Sequence, residues 1–116
     1  MFSLVNSQRP IVMSQSNVTI SPDVIRTIVR NTALALPSVR GLVDHTGSLR
    51  TRDNFRGVEV NVAGGEVHVQ LHLTAAVDAP LMELGRQIQT EVAQSVEEIV
   101  GLHVAAVDVY FEDVTA

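Results

Sequence analysis

The stretch GVEVNVAGGEVHVQLHL, residues 57–73, decides the fold because apolar and polar side chains alternate on both sides of Gly64-Gly65. A period of two is typical of strands buried on one face, and a Gly-Gly pair suits a two-residue hairpin turn. The turn fixes the register, so three apolar pairs are expected on one face. These pairs are Val62 with Val67, Val60 with Val69, and Val58 with Leu71.

The other face of this hairpin is polar, and we expect it to meet solvent. Its side chains are Glu59, Asn61, His68, Gln70 and His72. His68 and His72 are four residues apart, about 13 Å at the strand rise, which is too far for shared metal ligation. We therefore interpret both histidines as solvated side chains and expect no metal site here.

A first helix is predicted after Ile20, where the sequence carries consecutive start signals. Ser21 can cap free N–H groups, Pro22 suits the first helical position, and Asp23 interacts favourably with the positive end of the helix dipole. The helix should end before Pro37. Its apolar face is expected to contain Val24, Ile25, Ile28, Val29, Ala35 and Leu36, with Thr32 bonded back to the carbonyl of Ile28.

A second helix is predicted from about Ala79 to Val100, with Asp78 as its cap and Gly101 as the residue that ends it. Its apolar stripe is expected to be Leu81, Leu84, Ile88, Val92, Val96 and Ile99. A final strand follows, in which the apolar pattern shifts across Ala105-Ala106. A β-bulge there would keep both halves of the strand facing the core.

Two short strands, near Val18–Ile20 and Val39–Val43, complete the order β-α-β-β-β-α-β. The sequence thus predicts an α+β fold, a two-layer sandwich in which two helices cover one face of a mixed sheet. Residues 1–16 show no period and are expected to be a flexible N-terminal tail. Residues 17–116 are expected to form a single domain.

Composition and motifs argue against several classes of function. The 116 residues contain no cysteine, which excludes disulfides, thiolate metal sites and cysteine nucleophiles. We find no signal peptide, no membrane span and no motif of the common hydrolase or nucleotide-binding types. We therefore expect no catalytic residues and no cofactor. Small-molecule turnover stays open as an alternative that requires a pocket with at least two convergent polar groups.

Charge is unevenly distributed along the chain. Residues 1–57 contain seven arginines and three acids, a formal charge of +4, whereas residues 58–116 contain one arginine and ten acids, a formal charge of −9. Opposite charge on two parts of one chain suits heterologous self-association or docking on a charged partner. The pattern favours an interaction protein, with a homo-oligomer as the first expectation.

Nucleic-acid binding is the alternative function, and it depends on the polar segment DHTGSLRTRDNFRG, residues 44–57. Arg50, Arg52 and Arg56 lie in this segment and Arg40 lies just before it. The net charge of −5, the absence of lysine and the few aromatic residues argue against this alternative, since affinity for phosphates scales with neutralising charge.

Three segments resemble the alkaline shock protein family of Gram-positive bacteria, also described as envelope stress response proteins. They are ISPDVIRTIVRNTALALPSVRGL (20–42), GVEVNVAGGEVHVQLHL (57–73) and ELGRQIQTEVAQSVEEIVGLHVAAVDVYFEDV (83–114). The leader and the Arg-rich segment depart from the pattern. The resemblance implies a small cytoplasmic protein that is not an enzyme, self-assembles, and in some members is held at the inner face of the membrane by a membrane-anchored relative.

We therefore predict a non-catalytic scaffold of the cell-envelope stress response without direct membrane insertion. Three surfaces are candidates for its contacts: the polar sheet face, the arginine-bearing segment, and an exposed leucine of the first helix together with an arginine of that helix. The predicted contact residues are Arg30, Leu34, Arg50, Arg52, Arg56, Glu59, His68, Gln70 and His72.

Overall fold

The structure, a computed structural model, describes residues 11–12, 18–44 and 55–116. These residues form six strands and two helices. In chain order the elements are β1 (Ile11–Val12), β2 (Thr19–Ile20), α1 (Pro22–Leu34), β3 (Val39–Leu42), β4 (Val58–Ala63), β5 (Glu66–Ala76), α2 (Leu81–Val100) and β6 (His103–Thr115). The apolar sheet face and the two helices share one core, as the predicted α+β sandwich requires.

The β4–β5 hairpin has the predicted register. Val58 lies opposite Leu71, Val60 opposite Val69, and Val62 opposite Val67. Gly64 and Gly65 both have positive φ angles, +58° and +78°, which is the conformation that a tight hairpin turn requires and that glycine adopts without strain. Five of the six apolar side chains are buried, and that of Val62 is half-buried.

Strand β5 is the centre of a mixed sheet. Strand β6 runs parallel along one of its edges, whereas β3 and β4 pair with it in antiparallel orientation. His72 shows where β3 and β4 meet, because its N–H donates to the carbonyl of Gly57 (2.9 Å) and its carbonyl accepts from the N–H of Val43 (3.0 Å). Both groups of one strand residue point to the same edge, so β3 and β4 lie end to end along it.

Helix α1 begins as predicted, with the Ser21 hydroxyl accepting from the N–H of Asp23 (3.3 Å) and Pro22 at its start. The hydroxyl of Thr32 donates to the carbonyl of Ile28 (2.7 Å), also as predicted. The buried face consists of Pro22, Ile25, Val29 and Ala33. The expected burial of Val24 and Ala35 was wrong. Val24 is 44% exposed. Ala35 is also exposed, because it is the C-cap and lies after the last helical residue, where the helix period no longer sets its direction.

Helix α2 starts later than predicted. Its N-cap is Pro80, with no side-chain capping bond, so the assignment of Asp78 as the cap was wrong. The N–H of Ala79 instead donates to the carbonyl of Ala76 (3.0 Å) and closes a turn before the helix. The buried stripe follows a four-residue spacing and ends on Val100 rather than on Ile99, which is 65% exposed. Its members are Leu84, Ile88, Val92, Val96 and Val100.

Strand β6 contains the predicted bulge and a second one. The register against β5 shifts between Val104 and Ala106, which leaves Ala105 as the extra residue and confirms the interpretation of the apolar pattern. A further shift between Phe111 and Asp113 makes Glu112 the extra residue of a second bulge.

The first predicted strand does not join the main sheet. Thr19–Ile20 pairs in antiparallel orientation with Ile11–Val12, and these two short strands form a separate sheet. Ile20 packs against the core through its half-buried side chain. The paired segment at 11–12 falls within the range expected to be a flexible tail; the other residues of that range lie outside the described residues.

Gly57 lies at the junction of β3 and β4, where the backbone leaves no room for a side chain. A Cβ atom there would lie 2.6 Å from the Val43 carbonyl oxygen and 2.7 Å from the His72 carbonyl oxygen, and φ is +74°. We expect Gly57→Ala to lower the free energy of unfolding by about 3 kcal/mol or more, because strain and a backbone clash combine. Urea unfolding followed by circular dichroism measures this change.

Gly64→Ala is the matched control. Its φ is +58°, but a Cβ at Gly64 meets no atom within 4 Å, so it carries strain without the clash. We expect Gly64→Ala to lower the free energy of unfolding by about 1 kcal/mol. Equal losses for the two variants would show that the close backbone approach at Gly57 is not a constraint on the fold.

Candidate interaction site

The sheet face that points away from the helices carries the predicted polar contact residues. Glu59 and His68 are exposed, and Gln70 is half-buried. Strand β6 extends this face, because Ala106, Asp108 and Tyr110 lie beside residues of β5 in register. Glu59, His68 and Gln70 are therefore accessible on one polar surface, as predicted, and their role as contacts stays a prediction.

His72 differs from the predicted solvated histidine, and its assignment as an exposed contact residue was wrong. It is 3% exposed. The Tyr110 ring stacks on the imidazole, with ring centroids 4.7 Å apart and planes inclined by 8°. The Nδ1 atom of His72 lies 2.7 Å from the Glu112 carboxylate. Parallel pairing with β6 places Tyr110 opposite His72, and Glu112 follows two residues later on the same strand.

A pocket lies between α1, β3 and Arg56, the residue before Gly57. Its lining brings together residues that were predicted as separate contacts on the first helix and on the arginine-bearing segment. The pocket has a volume of about 200 Å³. It is lined by Arg30, Leu34, Gly41, Leu42 and Arg56, and we call it the arginine pocket. Arg30 and Leu34 reach it together because residues four apart lie on the same helix face. The structure thus unites three of the predicted contact residues.

The two arginines of α1 have different surroundings. Arg26 donates to the carboxylate of Asp23 at 2.6 Å, an ion pair within the helix. Arg30 donates to the neutral side-chain carbonyl of Asn31 at 3.2 Å. Within residues 18–44 and 55–116, the hydrogen-bond partner of the Arg30 side chain is therefore neutral, and Arg30 lines the arginine pocket.

The remaining predicted contacts, Arg50 and Arg52, lie outside the described residues. Sequence reasoning missed Gly41 and Leu42, which form the β3 wall of the pocket. It also missed Tyr110 and Glu112 beside His72. The sequence held no local signal for these two residues, because their contact with His72 depends on which strand pairs beside β5.

Two observations describe the chemistry of the residues in the structure. In the described ranges, no group of three or more His, Asp or Glu side chains is arranged to hold a metal ion. Neither α1 nor α2 combines the length and hydropathy needed to cross a membrane. The arginine pocket is lined by two guanidinium side chains, a chemistry that favours an anion.

The fold and these surfaces define a class: a small α+β domain with one helix-covered sheet face, one open polar face and an anion-attracting pocket. The profile of the Asp23 family, described as having a cell envelope-related function, matches residues 11–116. The chain belongs to this family, the alkaline shock protein family. The family name is unrelated to residue Asp23. The match begins at residue 11, before the expected domain start at 17.

A curated relative supports this membership. The uncharacterized protein YloU of Bacillus subtilis (strain 168) is 25% identical over 104 residues, which covers 84% of this chain and 87% of YloU. The chain therefore spans most of the length of this relative. Its description as uncharacterized adds no activity to the comparison.

Solved structures of MamM CTD share the fold at lower sequence identity. A zinc form has a TM-score of 0.52 and 12% identity, covering 81% of this chain and 87% of that chain. A copper form has a TM-score of 0.55 and 13% identity, covering 78% and 84%. These similarities concern the fold.

The His72–Glu112 contact should be coupled energetically. A double-mutant cycle with His72→Gln and Glu112→Gln is expected to give a coupling of about 1 kcal/mol, because His72 is buried and its charge-assisted bond is partly shielded from water. Urea unfolding of the four proteins at neutral pH measures it.

Glu97 and His103 supply a control with the same residue types. Their contact is 3.2 Å, but the side chains are 42% and 67% exposed. The corresponding cycle with Glu97→Gln and His103→Gln should give less than about 0.5 kcal/mol. A coupling at His72–Glu112 no larger than this control would mean that burial under Tyr110 does not strengthen the pair.

Proposed function

We propose that this protein is a non-catalytic scaffold of the cell-envelope stress response that self-associates or docks on an envelope-associated partner. The observation that carries the proposal is the separation of charge along the chain, with most of its basic residues in the first half and most of its acidic residues in the second. The arginine pocket lies on the part of the molecule built from the positive half of the sequence, and α2 has four glutamates and one arginine. Complementary patches of this kind steer association between proteins.

The chemistry of the pocket supports binding rather than turnover. Its two convergent polar side chains, Arg30 and Arg56, are guanidinium groups. Arginine stays protonated at neutral pH, has five donors and no acceptor, and so holds anions without accepting protons or attacking carbon. The pocket therefore satisfies the geometric condition for a small-molecule site but has the chemistry of a clamp for a carboxylate or a phosphate.

The cellular setting of the proposal follows the family. A cell envelope-related function suits a cytoplasmic protein held at the inner face of the membrane by a membrane-anchored relative of the same family. The acidic polar face of α2 is repelled by anionic lipid, which favours a protein partner over direct adsorption. Nucleic acid is a weaker candidate partner because the acids of residues 58–116 oppose the phosphate backbone.

The proposal predicts association that depends on ionic strength. In size-exclusion chromatography with light scattering, we expect a mass above that of the 12.5 kDa monomer at about 20 mM salt. The mass should fall towards the monomer at about 500 mM, since exposed charges are screened over a few ångströms there. The full chain at several concentrations should be used.

A co-purification with cytoplasmic membranes from the native cell tests the second arm of the proposal. A protein that is monomeric at every concentration and salt, and that captures no envelope-associated protein, would contradict the scaffold role. Retention of nucleic acid in place of a protein partner would favour the alternative function instead.

A further inference from the structure

The last turn of α2 carries an electrostatic conflict. The C-terminal end of a helix has a partial negative charge, and cations are favourable there. This turn contains Glu97 and Glu98 and no basic residue. Gly101, with φ +83°, ends the helix directly after it. Acidic side chains at this end raise the negative potential further, so a cation supplied from outside the helix would be stabilising.

Glu97 and Glu98 differ in how far neighbouring groups of the same chain compensate their negative charge. The Glu97 carboxylate accepts from the N–H of Val104 at 2.9 Å and lies 3.2 Å from His103. Glu98 is exposed and is followed by Ile99, one of the most exposed large apolar side chains of the described chain at 65%. Glu98 and Ile99 therefore present a carboxylate beside an aliphatic group at the helix end.

The arginine pocket is the chemical complement of this pair. It places the Arg30 guanidinium beside Leu34, which is 37% exposed. A pocket of about 200 Å³ has room for one carboxylate side chain. Charge-assisted bonds from arginine to a carboxylate are among the stronger polar contacts in proteins.

We infer that the arginine pocket of one copy receives Glu98 and Ile99 of a second copy. The inference rests on the self-association in the proposed function and names its two surfaces. Among the described residues, the Arg30 guanidinium bonds to the neutral side chain of Asn31, so an acidic side chain of a second copy would supply its counter-charge. Two different patches meet, so the interface is heterologous and generates rings or open chains rather than an isologous dimer.

A second copy fits better than a phosphate-bearing polymer. Nucleic acid needs several phosphates to be neutralised along one surface, whereas the pocket offers a single focus of charge on a molecule of net charge −5. A protein carboxylate needs that one focus. The acidic half of the chain supplies it at the helix end, where the dipole adds to the attraction.

Charge reversal tests this pairing. Arg30→Glu and Glu98→Arg should each weaken self-association about tenfold or more, because each places like charges at the interface. Mixing the two variants should restore association, since every contact in the mixture can then join opposite charges. Sedimentation velocity at about 20 mM salt measures the dissociation constants. Circular dichroism checks that both variants are folded.

Arg40→Glu and Glu83→Arg are the matched controls. Arg40 is exposed on β3 outside the pocket lining, and Glu83 lies at the opposite end of α2 from Glu98. Each makes the same change in net charge as its test variant. Both controls should associate within about threefold of the wild type, and their mixture should gain nothing over either alone.

The results of the association experiments separate the inference from the proposed function. If the wild type and Arg30→Glu associate equally well, the pairing of the arginine pocket with Glu98 is overturned while the scaffold role stands. If both single variants lose self-association and mixing them does not restore it, the pairing is also overturned. If the wild type stays monomeric, both the pairing and the self-association in the proposed function are contradicted. Binding of a single-stranded DNA probe or of phosphatidylglycerol vesicles that Arg30→Glu abolishes, with self-association unchanged, would assign the pocket to phosphate and reject the carboxylate.

Discussion

The fold depends on β5 being bonded along both of its edges. Strand β6 occupies one edge over nearly the whole strand, and β3 and β4 share the other. A strand fixed on both sides has no freedom of register, because a slip of one residue would move Val67, Val69 and Leu71 from the core to the polar face. The arrangement of the helices follows, since both must cover the face that this register makes apolar.

Features set by neighbouring residues were predictable from the sequence. The hairpin register follows from the alternation around Gly64-Gly65, the start of α1 from Ser21 and Pro22, and the bulge at Ala105 from the shifted apolar parity. Each depends on a few consecutive positions and on steric rules that hold in any fold. The predicted cap of α2 failed because a turn ending at Ala79 competed with the helix for the same residues.

Features set by strand partners were not predictable in the same way. The alternation of apolar and polar residues placed His72 correctly on the polar face. Whether a side chain on that face is buried depends on the side chains of the neighbouring strand. Tyr110 and Glu112 are about forty residues away in sequence, and their position beside His72 follows from the parallel pairing of β6 with β5, which the sequence pattern does not specify. Of the arginine pocket, the spacing of Arg30 and Leu34 was visible as one helix face. The position of Arg56 beside them was not.

The position of Arg56 links the stability of the sheet to the candidate site. Arg56 directly precedes Gly57, whose carbonyl accepts from the N–H of His72 and whose positive φ lets the chain turn into β4 against Val43. The same backbone junction that closes the shared edge of β5 thus delivers the second guanidinium to the pocket wall. A chain entering β4 in an ordinary extended conformation would leave the turn at a different angle and would separate Arg56 from Arg30. The glycine therefore serves the pocket through the sheet, and the binding chemistry of the arginines depends on a residue that has no side chain.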